Sequence, residues 1–334
     1  MKILGIETSC DETSAAVVQD GREVLSNIVS SQIDIHQKFG GVVPEVASRR
    51  HVELILPVIE EALSTSNSTL SDIDAVAIIN RPGLIGALIV GVSAAKSIAY
   101  STGLPLVPVH HLEAHIYSNM LYGEEMQFPS VCLVVSGGHS DIILMSDHGK
   151  YEILARTVDD AAGEAFDKCA RALGLGYPGG PIIDKLAKEG NPEAVKFPRS
   201  KVGDGLSFSF SGLKTAVIRF AQNNNENMSI NDIAASFQQA VVDKLVDSTI
   251  EAAKLHGVNN IMVAGGVAAN SCLQREMRDK AEKSNIRLLI PPPKFCTDNA
   301  AMVASAGYFA YKNGIRADLY LDCCASEPIG KYII

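Results

Sequence analysis

No two cysteines in this sequence are spaced C-x-x-C. The seven that occur are scattered and odd in number, and the adjacent Cys323 and Cys324 suit neither a disulfide framework nor a zinc ribbon. Reduced thiols in a cytosolic protein are the expectation. A Walker A sequence is missing too, which removes the P-loop NTPases. Positive charge is scarce, with 29 Lys and Arg against 38 Asp and Glu for a formal net charge of −9. Such a chain can touch RNA through a local basic patch, but it will not hold a long duplex by electrostatics alone, so an RNA substrate calls for a partner. The N-terminus meets acid at Glu7, too early for the apolar core of a signal peptide. The longest apolar stretch, LIGALIVGVSAAKSIAY (84–100), is broken by Lys96 and rich in small residues. It reads as a buried helix, not a membrane span.

What is present is a duplicated plan. Residues 2–8 (KILGIET), 14–20 and 22–30 read as a three-stranded meander, and 130–136 (SVCLVVS), 140–146 and 150–158 repeat it. Each meander leads to a strand, a helix and a strand: 73–79, 84–100 and 104–109 in the first half, 259–265, 271–284 and 286–292 in the second. Short apolar strands crossing over through helices imply buried parallel strands. The prediction is a duplicated α/β fold of the actin, 70-kDa chaperone and sugar-kinase (ASKHA) type, two lobes flanking a central nucleotide cleft. At 334 residues, 47% of them hydrophobic, the chain has the length for two cores. Lobe I is expected over 1–110, with about 300–334 packing back on it, and lobe II over 111–299, with a helical insertion at about 159–258.

HHLEAH (110–115) places His111 and His115 four apart on one helix face, directly after the last strand of the first copy. CTDNA (296–300), with Asp298, follows the last strand of the second copy. If the copies are related by a pseudo-twofold axis, these two places converge. Two imidazoles and a carboxylate with open positions suit Fe(II) or Zn(II). HExxH proteolysis is excluded by spacing, because Glu113 lies two residues from each histidine and points away from a metal-bound water.

Other segments carry ligand chemistry. The glycines of SGGH (136–139) let backbone N–H groups close around an anion. The matching turn of the first copy, TSCDET (8–13), offers Asp11 and Glu12 instead, which hold a cation or handle a proton. AGGVAAN (264–270) allows a flat ligand close to the backbone, with Asn270 either capping the next helix or bonding the ligand. A helix over DDAAGEAFDKCARAL (159–173) would align Asp160, Glu164 and Asp167, with Asp167 placed for ribose hydroxyls. GLGYPG (174–179) follows a helix and contains Pro178, so it is no dinucleotide fingerprint; it reads as a rigid loop over a nucleotide, leading to Asp184. Arg49 and Arg50, then Lys196, Arg199 and Lys201, are candidates for RNA backbone contact.

In order and spacing, GIETSCDET, HQKFGGVVPEVASRRH, HHLEAH, VSGGHSD, DDAAGEAFDKCARALGLGYPGGP, FSFSGLKTAV, VAGGVAANS and CTDNAAM resemble the TsaD family along nearly the whole chain. The resemblance implies a cytoplasmic transferase that places threonylcarbamoyl on the exocyclic amine of the adenosine 3′ to certain tRNA anticodons, those reading codons that begin with A. The donor would be threonylcarbamoyl-AMP. The partners would be a shorter metal-free homologue (TsaB-like) and a small ATPase (TsaE-like), with no membrane involved. It implies one divalent metal, Fe(II) favoured over Zn(II), on His111, His115 and Asp298, with Ser9 a further candidate. Val135, Ser136, Gly137, Gly138, His139, Asp167, Gly180, Asp184 and Asn270 would hold the adenylate, and Asp11 and Glu12 would serve catalysis. Two features depart from the family pattern: Arg81 stands where the turn usually reads GPGL, and the tail DLYLDCCASEPIG is atypical. A small-molecule kinase on the same fold would not need the histidine pair, and a non-catalytic scaffold would be expected to have lost it.

Overall fold

The computed structural model describes residues 1–198, 202, 205–223 and 228–330. The chain forms two compact units. Unit 1 comprises residues 1–126, 148–150 and 291–334, and unit 2 comprises 127–147 and 151–290.

Unit 1 is built on β1 (Lys2–Glu7), β2 (Glu12–Gln19), β3 (Glu23–Ser31), β4 (Ala75–Arg81) and β5 (Leu106–His110), in the order β3-β2-β1-β4-β5. The meander pairs are antiparallel, and β1–β4 and β4–β5 are parallel. The β2–β3 hairpin turns through Asp20 and Gly21, both at positive φ, which matches the twist of the strands it joins. The first copy also carries α1 (Ile33–His36), α2 (Pro44–Thr65), α3 (Ile85–Thr102) and α4 (His111–Tyr117).

Unit 2 repeats the sheet with β6 (Ser130–Val135), β7 (Ser140–Asp147), β8 (Lys150–Arg156), β9 (Asn260–Ala264) and β10 (Arg287–Leu289), in the order β10-β9-β6-β7-β8. The equivalent strands pair in the same senses, β6–β7 antiparallel and β6–β9 and β9–β10 parallel. Its helices are α5 (Ala162–Ala172), α6 (Gly179–Ala187), α7 (Ser211–Asn223), α8 (Ile230–Leu255) and α9 (Ser271–Lys283). The duplicated topology is therefore present strand for strand.

The last helix, α10 (Ala300–Lys312), returns to unit 1 and lies on β1. Gly5 makes this possible: a Cβ there would stand 2.3 Å from the Ala300 carbonyl oxygen. Asn299 caps α10 by accepting from the Met302 N–H at 3.1 Å, and Ala300 N–H donates to Ser14 Oγ of β2 at 2.8 Å. Because α4 packs on α10, residues 111–126 and 291–299 belong to unit 1, whereas the sequence pattern had suggested lobe II.

Two expectations need correction. Helix α5 begins at Ala162, so Asp160 lies in the turn before it, where Lys168 (2.8 Å) and Lys214 (2.5 Å) neutralise it. Helix α3 is buried on one face only. Ala87, Leu88, Gly91, Val92, Ala95 and Ala99 face inward, while Ile85, Ile89 and Tyr100 are exposed. By length and composition it passes as a membrane span, yet its inner face packs in the core of unit 1.

Candidate active site

Helix α4 starts directly at the end of β5, so its first turn is delivered to the carboxyl edge of the unit 1 sheet. His110 caps it, Nδ1 accepting from the Leu112 N–H at 3.2 Å. His111 and His115 stand on successive turns with ring centroids 4.6 Å apart and planes near perpendicular. Asp298, just ahead of α10, meets both: its Oδ1 is 3.1 Å from His115 Nε2 and 3.7 Å from His111 Nε2. One ligand atom from each of the three residues lies within 4.8 Å of the others. The expected convergence of the two segments thus occurs, and within unit 1.

The donor set fits a divalent cation on chemical grounds. His115 is fully buried; its Nδ1 makes no hydrogen bond among the described residues, and its Nε2 faces the Asp298 carboxylate. A buried imidazole left this way is costly unless something else occupies its lone pair. His111 is organised from the far side. Ser9 Oγ lies 3.1 Å and Glu7 Oε2 3.5 Å from its Nδ1, which leaves Nε2 turned toward Asp298. Ser9 therefore sits against the nitrogen facing away from Asp298. Burial opposes protonation of His111, but Asp298 and Glu7 outweigh it and push its pKa up to about 9. The metal-free site consequently holds a proton that a cation must displace.

The acidic turn is pinned from several elements. Glu7, wholly buried, accepts from the Ser9 N–H. The Leu84 N–H donates to the Ser9 carbonyl at 2.8 Å, and the Gln32 N–H to the Asp11 carbonyl at 3.0 Å. His51, buried on α2, donates from Nε2 to the Cys10 carbonyl (3.0 Å) and accepts from the Thr13 hydroxyl at Nδ1 (2.8 Å). A carbonyl can only accept, so this tautomer follows; burial lowers the His51 pKa and keeps the ring neutral. Asp11 is buried, and Glu12 is half-buried with Ser31 Oγ donating to it at 3.1 Å. Burial, then the charges of Asp298 and Asp11, push the Glu12 pKa up to about 10. The same burial and acids raise the Cys10 thiol. Acidic groups thus concentrate on this side of unit 1.

In unit 2, Ser136 and His139 close a two-residue hairpin through Ser136 N–H to His139 carbonyl (2.8 Å), beyond the end of Val135 in β6. Gly137 and Gly138 are exposed, with nothing within 4 Å of where a Cβ would sit. Several other candidate residues already hold the fold. Asp167 accepts from the Gly179 N–H at 2.7 Å, at the start of α6, and Gly180 follows with open space around it. Asp184 accepts from the Ser271 N–H and hydroxyl at 3.2 and 2.8 Å, tying α6 to α9. Asn270 caps α9 through Leu273 N–H (2.9 Å), and its amide donates to Gln238 at 2.7 Å. Of the basic candidates, Arg49 and Lys196 are exposed and Arg50 pairs with Glu53 at 2.5 Å; Arg199 and Lys201 lie outside the described residues. Sequence reasoning missed Glu7, His51 and His110. Glu7 alone carried a signal, a carboxylate closing an otherwise apolar strand, since a buried charge needs a partner.

Comparison with known proteins adds an independent line. The family model "TsaD: tRNA N6-adenosine threonylcarbamoyltransferase" matches residues 23–305. A tRNA N6-adenosine threonylcarbamoyltransferase of Symbiobacterium thermophilum is 56% identical over 330 residues, 98% of this chain and 97% of the relative. The protein of that name from Clostridium botulinum is 55% identical over 335 residues, covering 99% and 98%. Among solved structures, full-length HypF in its phosphate- and nucleotide-bound form matches with TM-score 0.60 at 16% identity, over 93% of this chain and 46% of that one. An activator of 2-hydroxyisocaproyl-CoA dehydratase from Clostridium difficile matches with TM-score 0.53 at 16% identity, over 94% and 97%. These two likenesses carry the fold alone.

Proposed function

The chain belongs to the TsaD family of tRNA N6-adenosine threonylcarbamoyltransferases, and from that premise we propose how its residues divide the work. It is a transferase acting on tRNA, placing threonylcarbamoyl on the N6 amine of an adenosine. The target is the adenosine 3′ to the anticodon of tRNAs reading codons that begin with A. The donor is threonylcarbamoyl-AMP. The amine nitrogen attacks the carbamoyl carbon, the bond from that carbon to the phosphate oxygen breaks, and AMP leaves.

His111, His115 and Asp298 hold one divalent ion, Fe(II) ahead of Zn(II). The observation that carries this is the convergence of His111 Nε2 and the buried His115 Nε2 on Asp298 Oδ1, at 3.7 and 3.1 Å. When bound, the ion supplies Lewis acidity toward the carbamoyl carbonyl. Glu7 and Ser9 hold the His111 ring, the kind of outer support that fixes a ligand's tautomer. Asp11 and Glu12, on the acidic turn, are the carboxyl groups placed to accept the proton of the attacking amine. The exposed amides of Gly137 and Gly138 suit the phosphate of the adenylate. Val135, Ser136, His139, Asp167, Gly180, Asp184 and Asn270 complete that site, with Asp167, Asp184 and Asn270 supporting its walls through the bonds they already make. The adenosine must leave its stack to present N6. Arg49, Arg50 and Lys196 contact the tRNA backbone.

A mixed anhydride has a good leaving group, so no nucleophilic side chain is required. The outward apolar residues Val52 and Leu56 on α2, and Ile85 and Ile89 on α3, support a docking face for the TsaB-like subunit, with the TsaE-like ATPase completing the system in the cytoplasm. The test is His111→Ala, assayed with threonylcarbamoyl-AMP, tRNA transcript and partners. Transfer should fall at least about 100-fold, beyond what losing an outer partner of a ligand costs, with Tm and subunit assembly retained. Full transfer by the variant would end the metal reading.

A further inference from the structure

The turn after β4 and the C-terminal tail meet in the fold. Arg81 Nε, at the end of β4, lies 2.9 Å from Glu327 Oε2 of the tail, and both side chains are largely covered (18% and 28% exposed). Around that ion pair the tail crosses the ends of β4 and β5 as a strap. Cys324 N–H donates to the Asn80 carbonyl (3.0 Å), Asn80 Nδ2 to the Asp322 carbonyl (3.0 Å), and Gly83 N–H to the Ala325 carbonyl (3.3 Å). Ile329 is buried beyond them.

The contact that matters for chemistry is the next one. His110 Nε2 donates to the Glu327 carbonyl at 2.9 Å. A carbonyl cannot donate, so the proton is on Nε2 and Nδ1 is bare, as it must be to accept the Leu112 N–H and cap α4. His110 is 1% exposed, and the cap it makes to the Leu112 N–H is buried. Helix α4 is only seven residues long, too short to sustain itself. Its orientation, and with it the placement of His111 and His115 against Asp298, rests on that cap and on packing against α10, β4 and β5.

We propose that the C-terminal strap, residues 322–330, positions the metal-binding helix through His110, with the Arg81–Glu327 pair as its latch. His110 touches no reacting atom; it is a positioning residue. The inference rests on the metal reading above.

Zn(II) affinity, measured on the full chain by competition with a chromophoric chelator, tests it without any activity assay. Asn is as good a cap as any side chain, so His110→Asn keeps the cap and loses the bond to Glu327. It should weaken zinc by about 3- to 10-fold, less than the loss of a ligand's direct partner. Glu327→Arg should weaken it by about 3-fold, within the range of a partly exposed ion pair, and Arg81→Glu by a similar factor. The double swap should return to within about 2-fold of the native chain. A strap serving stability alone would lower Tm in these variants and leave the zinc affinity of the folded protein untouched. That outcome, or a double swap that fails to rescue, overturns the proposal. A native chain that takes up no zinc overturns the metal reading instead.

Discussion

The turns Thr8–Thr13 and Ser136–His139 occupy the same place in the two copies of one topology, between the first and second strands of each sheet. Their chemistry is opposite. The first is acidic, buried and tied down by Glu7, Gln32, His51 and Leu84. The second is glycine, exposed, and held chiefly across its own hairpin and by the Gly163 N–H on the Ser136 carbonyl. A duplicated scaffold supplies two equivalent positions, and the side chains there decide what each can bind. Carboxylates next to two imidazoles need a cation or a proton to be tolerated, whereas bare amides need an anion.

Each turn has a glycine from elsewhere pressed against it, which gives a matched pair of probes. A Cβ on Gly83 would stand 2.7 Å from the Ser9 carbonyl oxygen, and one on Gly163 would stand 2.6 Å from that of Ser136. Both contacts are with backbone, so in each variant the turn must shift, at about 1–3 kcal/mol of stability. Gly83→Ala should lower kcat by about 10- to 100-fold through misplacement of the acidic turn, with little change in KM for the donor. Gly163→Ala should instead raise that KM. The same kinetic signature from both variants would erase the distinction between the turns.

A smaller effect separates them by pH. The folded pKa of Glu12 lies near 10, above its ordinary 4.5. A raised acid favours folding fully below its unfolded value and loses that contribution as pH climbs through the folded one. The metal-free protein should therefore lose stability between pH 6 and pH 9. Glu12→Gln should lessen that fall by about 2–4 °C in Tm, what 1 kcal/mol is worth in a domain of this size. Equal falls in both proteins would show that the acidic turn is not under charge strain.

The smallest expected change concerns RNA. Removing Arg49 or Lys196 should weaken tRNA binding uniformly across tRNAs and reduce the salt slope by about 1 each. A variant whose salt slope matches the native one makes no phosphate contact.

Much of this was legible beforehand because it is periodic or local. Alternating apolar runs repeated in the same order gave away the doubled sheet, and imidazoles four apart must share a helix face whatever surrounds them. The supporting groups were not legible. His51 and His110 are ordinary histidines in sequence, and their roles come from a carbonyl and an N–H brought to their rings by folding. The resemblance implies ligand contact for Asp167 and Asp184, and Asn270 reads either as a cap or as a ligand contact; in the structure each caps or tethers a helix. A polar side chain near a helix start satisfies backbone groups first.

By itself the sequence determined the residue types, their spacing within each element and the duplicated order of strands, since these follow from covalent geometry and the burial of apolar faces. Only the tertiary structure decided that Asp298 comes back to unit 1 just ahead of α10, which packs into the gap left at Gly5, and that Arg81 finds Glu327. Contacts between distant segments depend on how packed elements close on one another, and no local pattern encodes that closure.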